Sequence, residues 1–282
     1  MKIFIFGSNG MLGNYVQSYL KQNTNYVIKT YNRKDYDISK LNEVTLTNLL
    51  YDNGKETGLK KNDIVINCAG TIPQSSKQRE LSNNIYFKIN SIFPIILGNI
   101  CEKRNARLIH ITTDCVFSGN DGNYDENSEH DEINNYGVSK SLGELCKGTM
   151  IRTSIIGEEQ YNKRSLLEWV ISNKNKTING FKNHLWNGVT CLELSKILRK
   201  MIDRNIYWEG VRHIYSPRSV SKYELVKIIN DKYKLNITIN EYNTDKKIDK
   251  TITTLYKQNG LFNISDLNEQ IEELVTYNFN NN

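Results

Sequence analysis

The sequence predicts an α/β fold: a doubly wound parallel sheet with helices on both faces and a smaller C-terminal lobe for a substrate. Three observations lead there. Over the first 110 residues, short runs rich in Ile, Val and Phe alternate with longer amphipathic stretches, the mark of βαβ units, which build parallel sheets. The opening run passes directly into a glycine-rich turn and a helix. At 282 residues the chain is long enough for about two lobes of roughly 150 residues each.

Taken in order, Lys2–Phe6, Tyr26–Tyr31, Asp63–Asn67 and Arg107–Thr112 read as strands. Met11–Lys21, Val44–Tyr51 and Leu81–Cys101 read as helices, the last with a kink expected at Pro94, which has no N–H for the carbonyl four residues back. Ser118–Asn135 is polar and turn-rich, and so long a loop in a compact domain is usually functional. Tyr136–Cys146 then reads as a helix and Met150–Ser154 as a strand. Leu166–Asn173, Leu192–Arg204 and Tyr223–Tyr233 follow as helices, with Val211–Tyr215 a strand. No linker rich in Pro, Gly or Ser marks a boundary. The expected division is 1–155 for a nucleotide-binding domain, with 189–215 returning to it, and 156–282 mainly for the substrate lobe. The asparagine-rich end, 278–282, reads as frayed.

Composition narrows the function. Lys+Arg 37 against Asp+Glu 31 leaves +6 with no basic block. That fits an acidic small substrate at least as well as nucleic acid, and no nucleic-acid partner is expected. Hydrophobic residues at 38% supply a core and exclude wholesale disorder. No apolar run approaches the roughly 18 residues of a membrane span, and Met1–Phe6, broken by Gly7, is too short for a secretory leader. The five cysteines (68, 101, 115, 146, 191) form no C-x-x-C pair, so a reducing cytosol is expected rather than a disulfide framework or zinc cluster. His110, His130 and His213 stand apart from clustered carboxylates, and no metal is expected. The 38 Asn against 2 Ala suit an AT-rich coding sequence, so the abundance of Asn is not read as function.

Gly7-Ser8-Asn9-Gly10-Met11-Leu12-Gly13 is a G-x-x-G-x-x-G turn between the first strand and its helix. Glycines there let the backbone approach a pyrophosphate, which rests on the N–H groups of the helix N-terminus. After the second strand comes Asn32-Arg33-Lys34, two cations that suit the 2′-phosphate of NADP. Thr113 ends the fourth strand, and Tyr136 and Lys140 stand at i and i+4 on one helix face. A nearby ammonium favours the phenolate and lowers the tyrosine pKa from about 10, as acid–base catalysis requires. Thr113 would orient a carbonyl oxygen.

Gly7/Gly10/Gly13, Asp37-Ile38, Asn67-Cys68-Ala69-Gly70, Asn90, Thr113 and Tyr136/Lys140 together resemble an extended short-chain dehydrogenase/reductase. T-T-D-C-V-F-S-G from Thr112 most resembles the dTDP-4-dehydrorhamnose reductase branch, and the likeness continues through Ile151–Ser154 and Asn183–Thr190. It implies a Rossmann-type lobe, NADP(H), and a nucleotide-linked 4-keto-6-deoxy sugar in the C-terminal lobe. Thr113, Tyr136 and Lys140 become the reductase triad. Asn9, Met11, Leu12, Asn32, Asp37, Ile38, Cys68, Ala69, Gly70 and Asn90 join the glycines and the two cations along the cofactor. Thr71, Gln74, Asp114, Trp186 and Asn187 are expected around the sugar nucleotide, and the helix carrying Tyr136 at a homodimer interface.

Cys115 departs from simple reductases of this branch, which usually carry Tyr there. It is similar instead to GDP-fucose synthase and to the plant and large-virus UDP-rhamnose synthases, which epimerise and reduce. Protons at C3 and C5 flank the C4 ketone, so their removal gives an enolate that Thr113 and Tyr136 can stabilise. Inversion needs one group to take the proton and another to return it from the opposite face. Cys115, with a pKa of about 8.5 lowered by nearby cations, suits one role. Lys182, desolvated, or His184, which the resemblance to GDP-fucose synthase favours, are the alternatives for the other. The expectation is a bifunctional UDP-4-keto-6-deoxy-D-glucose 3,5-epimerase/4-reductase, with a monofunctional 4-reductase or a non-catalytic NADP-binding subunit as rivals. No motif chooses between UDP and dTDP.

Overall fold

In the computed structural model, which describes residues 1–73, 83–161 and 163–279, the runs read as strands form one parallel sheet. Its members are β1 (Lys2–Phe6), β2 (Val27–Tyr31), β3 (Ile64–Asn67), β4 (Arg107–Thr113), β5 (Thr149–Thr153) and β10 (Gly210–His213), in the order β10-β5-β4-β3-β1-β2. The register sets Ile3 between Ile28 and Ile64, Ile66 beside Ile109, and Val211 beside Met150. Strand order reverses between β1 and β3, where an open α/β sheet leaves a crevice beyond its carboxyl ends. The fold is therefore of the doubly wound Rossmann type.

Alternate residues of these strands feed two cores. Ile3, Ile5, Ile64, Ile66, Ile109, Ile111 and Ile151 face α1 (Met11–Asn23) and the helix Cys191–Asp203, through Tyr15, Val16, Leu194 and Ile197. Phe4, Phe6, Val65, Leu108 and Met150 face α2 (Glu43–Tyr51) and the helix Phe93–Lys103, through Leu46, Leu50, Phe93 and Leu97. The stretch read as one helix to Cys101 is three pieces: α3 (Asn83–Phe87), a π-turn (Lys88–Ile92) and α4 (Phe93–Lys103). Pro94 cannot donate to the Asn90 carbonyl. A Cβ at Gly143 would sit 2.0 Å from that oxygen, so a side-chain-free Gly143 is what lets α5 (Asn135–Gly143) pack there.

The C-terminal lobe holds elements that the sequence pattern does not reveal. β7 (Thr177–Phe181) pairs in parallel with β12 (Thr238–Tyr242), and β8 (His184–Trp186) lies between β11 (Val220–Ser221) and β13 (Ile248–Asp249). β6 (Ile155–Ile156) pairs with β9 (Val189–Thr190). Its helices are α6 (Leu166–Ser172), α8 (Lys222–Tyr233), α9 (Gln258–Phe262) and α10 (Leu267–Thr276), while α7 (Cys191–Asp203) is the helix already placed beside α1 on the parallel sheet. The end is not frayed as far as Phe279: its ring lies 4.6 Å from Tyr15, and Ser18 Oγ donates to its carbonyl. Among the described residues, no helix is long and apolar enough to cross a membrane.

Candidate active site

At the carboxyl ends of β1 and β3 the glycine turn forms one wall of a trough. Gly7 has φ +76°, and a Cβ there would meet the Ala69 nitrogen at 2.7 Å, so only glycine allows the turn to lie against Cys68-Ala69. A Cβ at Gly13 would fall 2.1 Å from the Gly7 carbonyl oxygen, and its absence seats α1 on the turn. No side chain caps the α1 N-terminus, so its first N–H groups remain available to an anion. A cavity of about 350 Å³, lined among others by Gly7, Asn9, Gly10, Asn32, Arg33, Asp37, Ile38 and Ala69, joins a second of about 530 Å³ through Gly10 and residues 68–71. Met11 and Leu12 line the second cavity. Arg33 Nε lies 3.4 Å from Asp37 Oδ1, and Asp37 is held below the usual carboxylate range by Ser39 and by Arg33, against its own burial. Lys34 faces solvent outside the trough, its N–H on Asn32 Oδ1 at 2.8 Å.

The second cavity brings together Thr71, Thr113, Asp114, Cys115, Tyr136 and Lys140. Asn90, raised by the π-turn, accepts the Thr71 N–H at 2.9 Å and donates to the Thr71 carbonyl and to Ser139 Oγ. That ties the loop after β3 to α5. Lys140 Nζ donates to the Ile111 carbonyl at 3.1 Å, and burial lowers its pKa to about 8. Tyr136 bonds to the Thr113 hydroxyl, but its pKa is raised, not lowered as the spacing suggested. Burial and the neighbouring Cys115 outweigh any ammonium. A phenol kept protonated suits an acid.

Cys115 is corrected in the same sense. It sits in the 3₁₀ turn Asp114–Val116, Sγ 3.5 Å from Asp114 Oδ1, and burial with the Asp114 charge pushes its thiol up to about 12 despite the Lys250 ammonium. Burial likewise raises Asp114, against Lys250 and Lys222.

The expected acid partners lie elsewhere. Lys182 Nζ is 2.6 Å from Glu241 Oε2 at the surface, and that carboxylate raises the lysine where catalysis asked for desolvation to lower it. His184 Nε2 bonds Thr244 Oγ1 at 2.8 Å. Neither lines the cavity of Cys115. Trp186 is core, with Lys222 Nζ 5.0 Å from its ring centre, and Asn187 is spent on both backbone groups of Ile252. Gln74 lies outside the described residues. Sequence reasoning missed Glu132, Glu159, Arg164 and Lys250, which line the cavity from distant segments and carry no spacing signal. It also missed the carboxylates near two histidines. Arg152, buried, bridges Glu144, His130 and His213 at 3.0, 2.6 and 2.8 Å, and Glu126 accepts the His213 N–H.

The chain is 32% identical over 150 residues to the probable low-salt glycan biosynthesis reductase Agl14 of Haloferax volcanii, a match covering 51% of the chain and about half, 48%, of that protein. It is 25% identical over 287 residues to the uncharacterized protein L780 of Acanthamoeba polyphaga mimivirus, covering 95% and 91% of the two. The crystal structure of dTDP-4-dehydrorhamnose reductase from Bacillus anthracis in complex with NADP superposes with a TM-score of 0.78 at 22% identity, over 97% of this chain and 99% of that one. Residues 1–251 match the family described as the RmlD substrate binding domain, and the chain belongs to that family.

Proposed function

We propose that the protein is an NADPH-dependent nucleotide-sugar 4-ketoreductase that also inverts C3 and C5, taking UDP-4-keto-6-deoxy-D-glucose to UDP-L-rhamnose. The carrying observation is the meeting of Thr113, Cys115, Tyr136 and Lys140 in one cavity continuous with the glycine turn. The trough fits NADP: the tight glycine turn brings the uncapped N-terminus of α1 to its wall, where N–H groups can take a pyrophosphate, and Arg33 lines it as a cation for the 2′-phosphate. Residues 1–155 with 189–215 form the cofactor domain; pairing of β10 with β5 supports this division. When bound, the cofactor supplies a hydride to C4. Tyr136 gives its proton to the C4 oxygen, Thr113 orients that oxygen, and Lys140 with Asn90 holds the ribose side of the site. Cys115 serves the C3 and C5 protons.

Membership of the family and the reductases among its relatives support the 4-reductase half; the thiol beside Thr113 supports the epimerase half. A second reading, the monofunctional 4-reductase, is favoured by the burial that keeps that thiol protonated. Exposed Ile92 on the π-turn, Leu142 on α5 and Leu145 in the turn after it suit a homodimer, and five free cysteines suit the cytosol. The test is purified protein with NADPH and UDP- or dTDP-4-keto-6-deoxyglucose, the product identified by NMR. An L-rhamnose product without an added epimerase supports the bifunctional reading. Reduction only of substrate already epimerised establishes the second. No NADPH oxidation with any such sugar sinks both.

A further inference from the structure

An inverting site needs two titratable groups, and Cys115 is one. Among the described lysines and arginines lining its cavity, Lys140 is already the lysine of the proposed reductase triad, and an Arg164 guanidinium does not give up its proton. That leaves Lys250. It follows β13 in the C-terminal lobe, its N–H on the Leu185 carbonyl at 3.1 Å. Its side chain is pinned: Nζ donates to the Phe117 carbonyl and lies 3.7 Å from Glu132 Oε2. Gly119, at φ +86°, packs so closely that a Cβ there would meet Lys250 Cε at 3.3 Å. Glu132 lines the same cavity. A positioned ammonium with a carboxylate beside it, on a different element from Cys115, is the equipment that Lys182 and His184 lack.

Building on the epimerase reading above, we propose that Lys250 is the acid that returns the proton to the sugar carbon from the face opposite Cys115, with Glu132 as its relay. Cys115, as thiolate, takes the proton at C3 or C5: a C–H bond breaks, an S–H bond forms, and the electron pair moves to the C4 oxygen. Thr113 and Tyr136 hold that enolate. The carbon then takes a proton from the Lys250 ammonium, an N–H bond breaking as the new C–H forms and the ketone is restored. The thiol proton passes to the Lys250 amine through Glu132 and water, so the pair meets the second carbon as it met the first.

The experiment follows a 4-keto-6-deoxy sugar nucleotide with enzyme and NADP⁺ in D₂O. NMR reads deuterium at C3 and C5 separately from the configuration there. Inversion falls by about 10²–10⁴-fold in Lys250→Met, while deuterium still enters with retention, because Cys115 takes and returns the proton on its own face. A merely structural role would not leave that signature. Lys250→Arg keeps the charge at Phe117 and Glu132, and with it the packing, but does not restore inversion. Inversion by Lys250→Arg within threefold of the parent overturns the proposal even if Lys250→Met fails to fold. Inversion that survives in Lys250→Met but vanishes in Cys115→Ala or Lys182→Met overturns it while leaving an epimerase. A parent that exchanges neither proton overturns the epimerase reading and this proposal together.

Discussion

Raising the pH should drive the two proposed activities in opposite directions. The Cys115 thiol stands at about 12, because burial and Asp114 outweigh Lys250. Well below that value its thiolate is a minor species that grows tenfold per pH unit. If the thiolate is the base, exchange at C3 and C5 should rise about 30-fold between pH 7 and 8.5. Lys140 titrates at about 8, lowered by burial in spite of Glu144. Its ammonium is present below that pH and lost above it, so kcat/KM for NADPH in the reduction should fall as pH passes 8. Exchange is followed by NMR with NADP⁺ across buffered D₂O, and reduction by NADPH absorbance with substrate already epimerised. Cys115→Ala should abolish exchange at every pH. A flat exchange profile would refute the thiolate as the base. Exchange undiminished in Cys115→Ala would return the monofunctional 4-reductase to first place.

Three further outcomes test the rest of the site. Tyr136→Phe removes the proposed proton donor and should lower kcat for reduction by about 10²–10⁴-fold, with NADPH affinity, read by fluorescence titration, little changed. Arg33→Ala removes the cation at the adenosine end, a loss of about 1.5–3 kcal/mol per charge-assisted bond. The NADPH KM should rise tenfold or more, that for NADH should hold, and equal preference in the parent would sink the assignment. Gly13→Ala places a Cβ 2.1 Å from the Gly7 carbonyl oxygen. The helix must retreat from the turn, so NADPH binding measured by calorimetry should weaken severely.

The parts of the molecule legible in the sequence are those whose physics is local. Strands buried on both faces appear as unbroken apolar runs, such as Ile3–Phe6 and Ile64–Ile66. β7 and β12, with exposed Thr177, Asn179, Asn240 and Glu241, do not, and β6, β9, β11 and β13 are two residues each. Tyr136 and Lys140 sit one helical turn apart, so their meeting is written in four residues; Lys250 and Glu132 reach Cys115 through loops that no periodicity links. The pairing of β7 with β12 decides Lys182. It puts the Lys182 N–H on the Tyr242 carbonyl and the ammonium on Glu241, a choice of partner about 60 residues away that the local sequence cannot contain. The signs of the pKa shifts fail for the same reason. Sequence shows which charges are near in the chain, whereas Tyr136 and Cys115 are governed first by burial, which the fold alone creates. A reductase triad can therefore be recognised from its motif. An epimerase pair has to be found by asking which titratable groups the second lobe brings against the same cavity, and that question points away from Lys182 and toward Lys250.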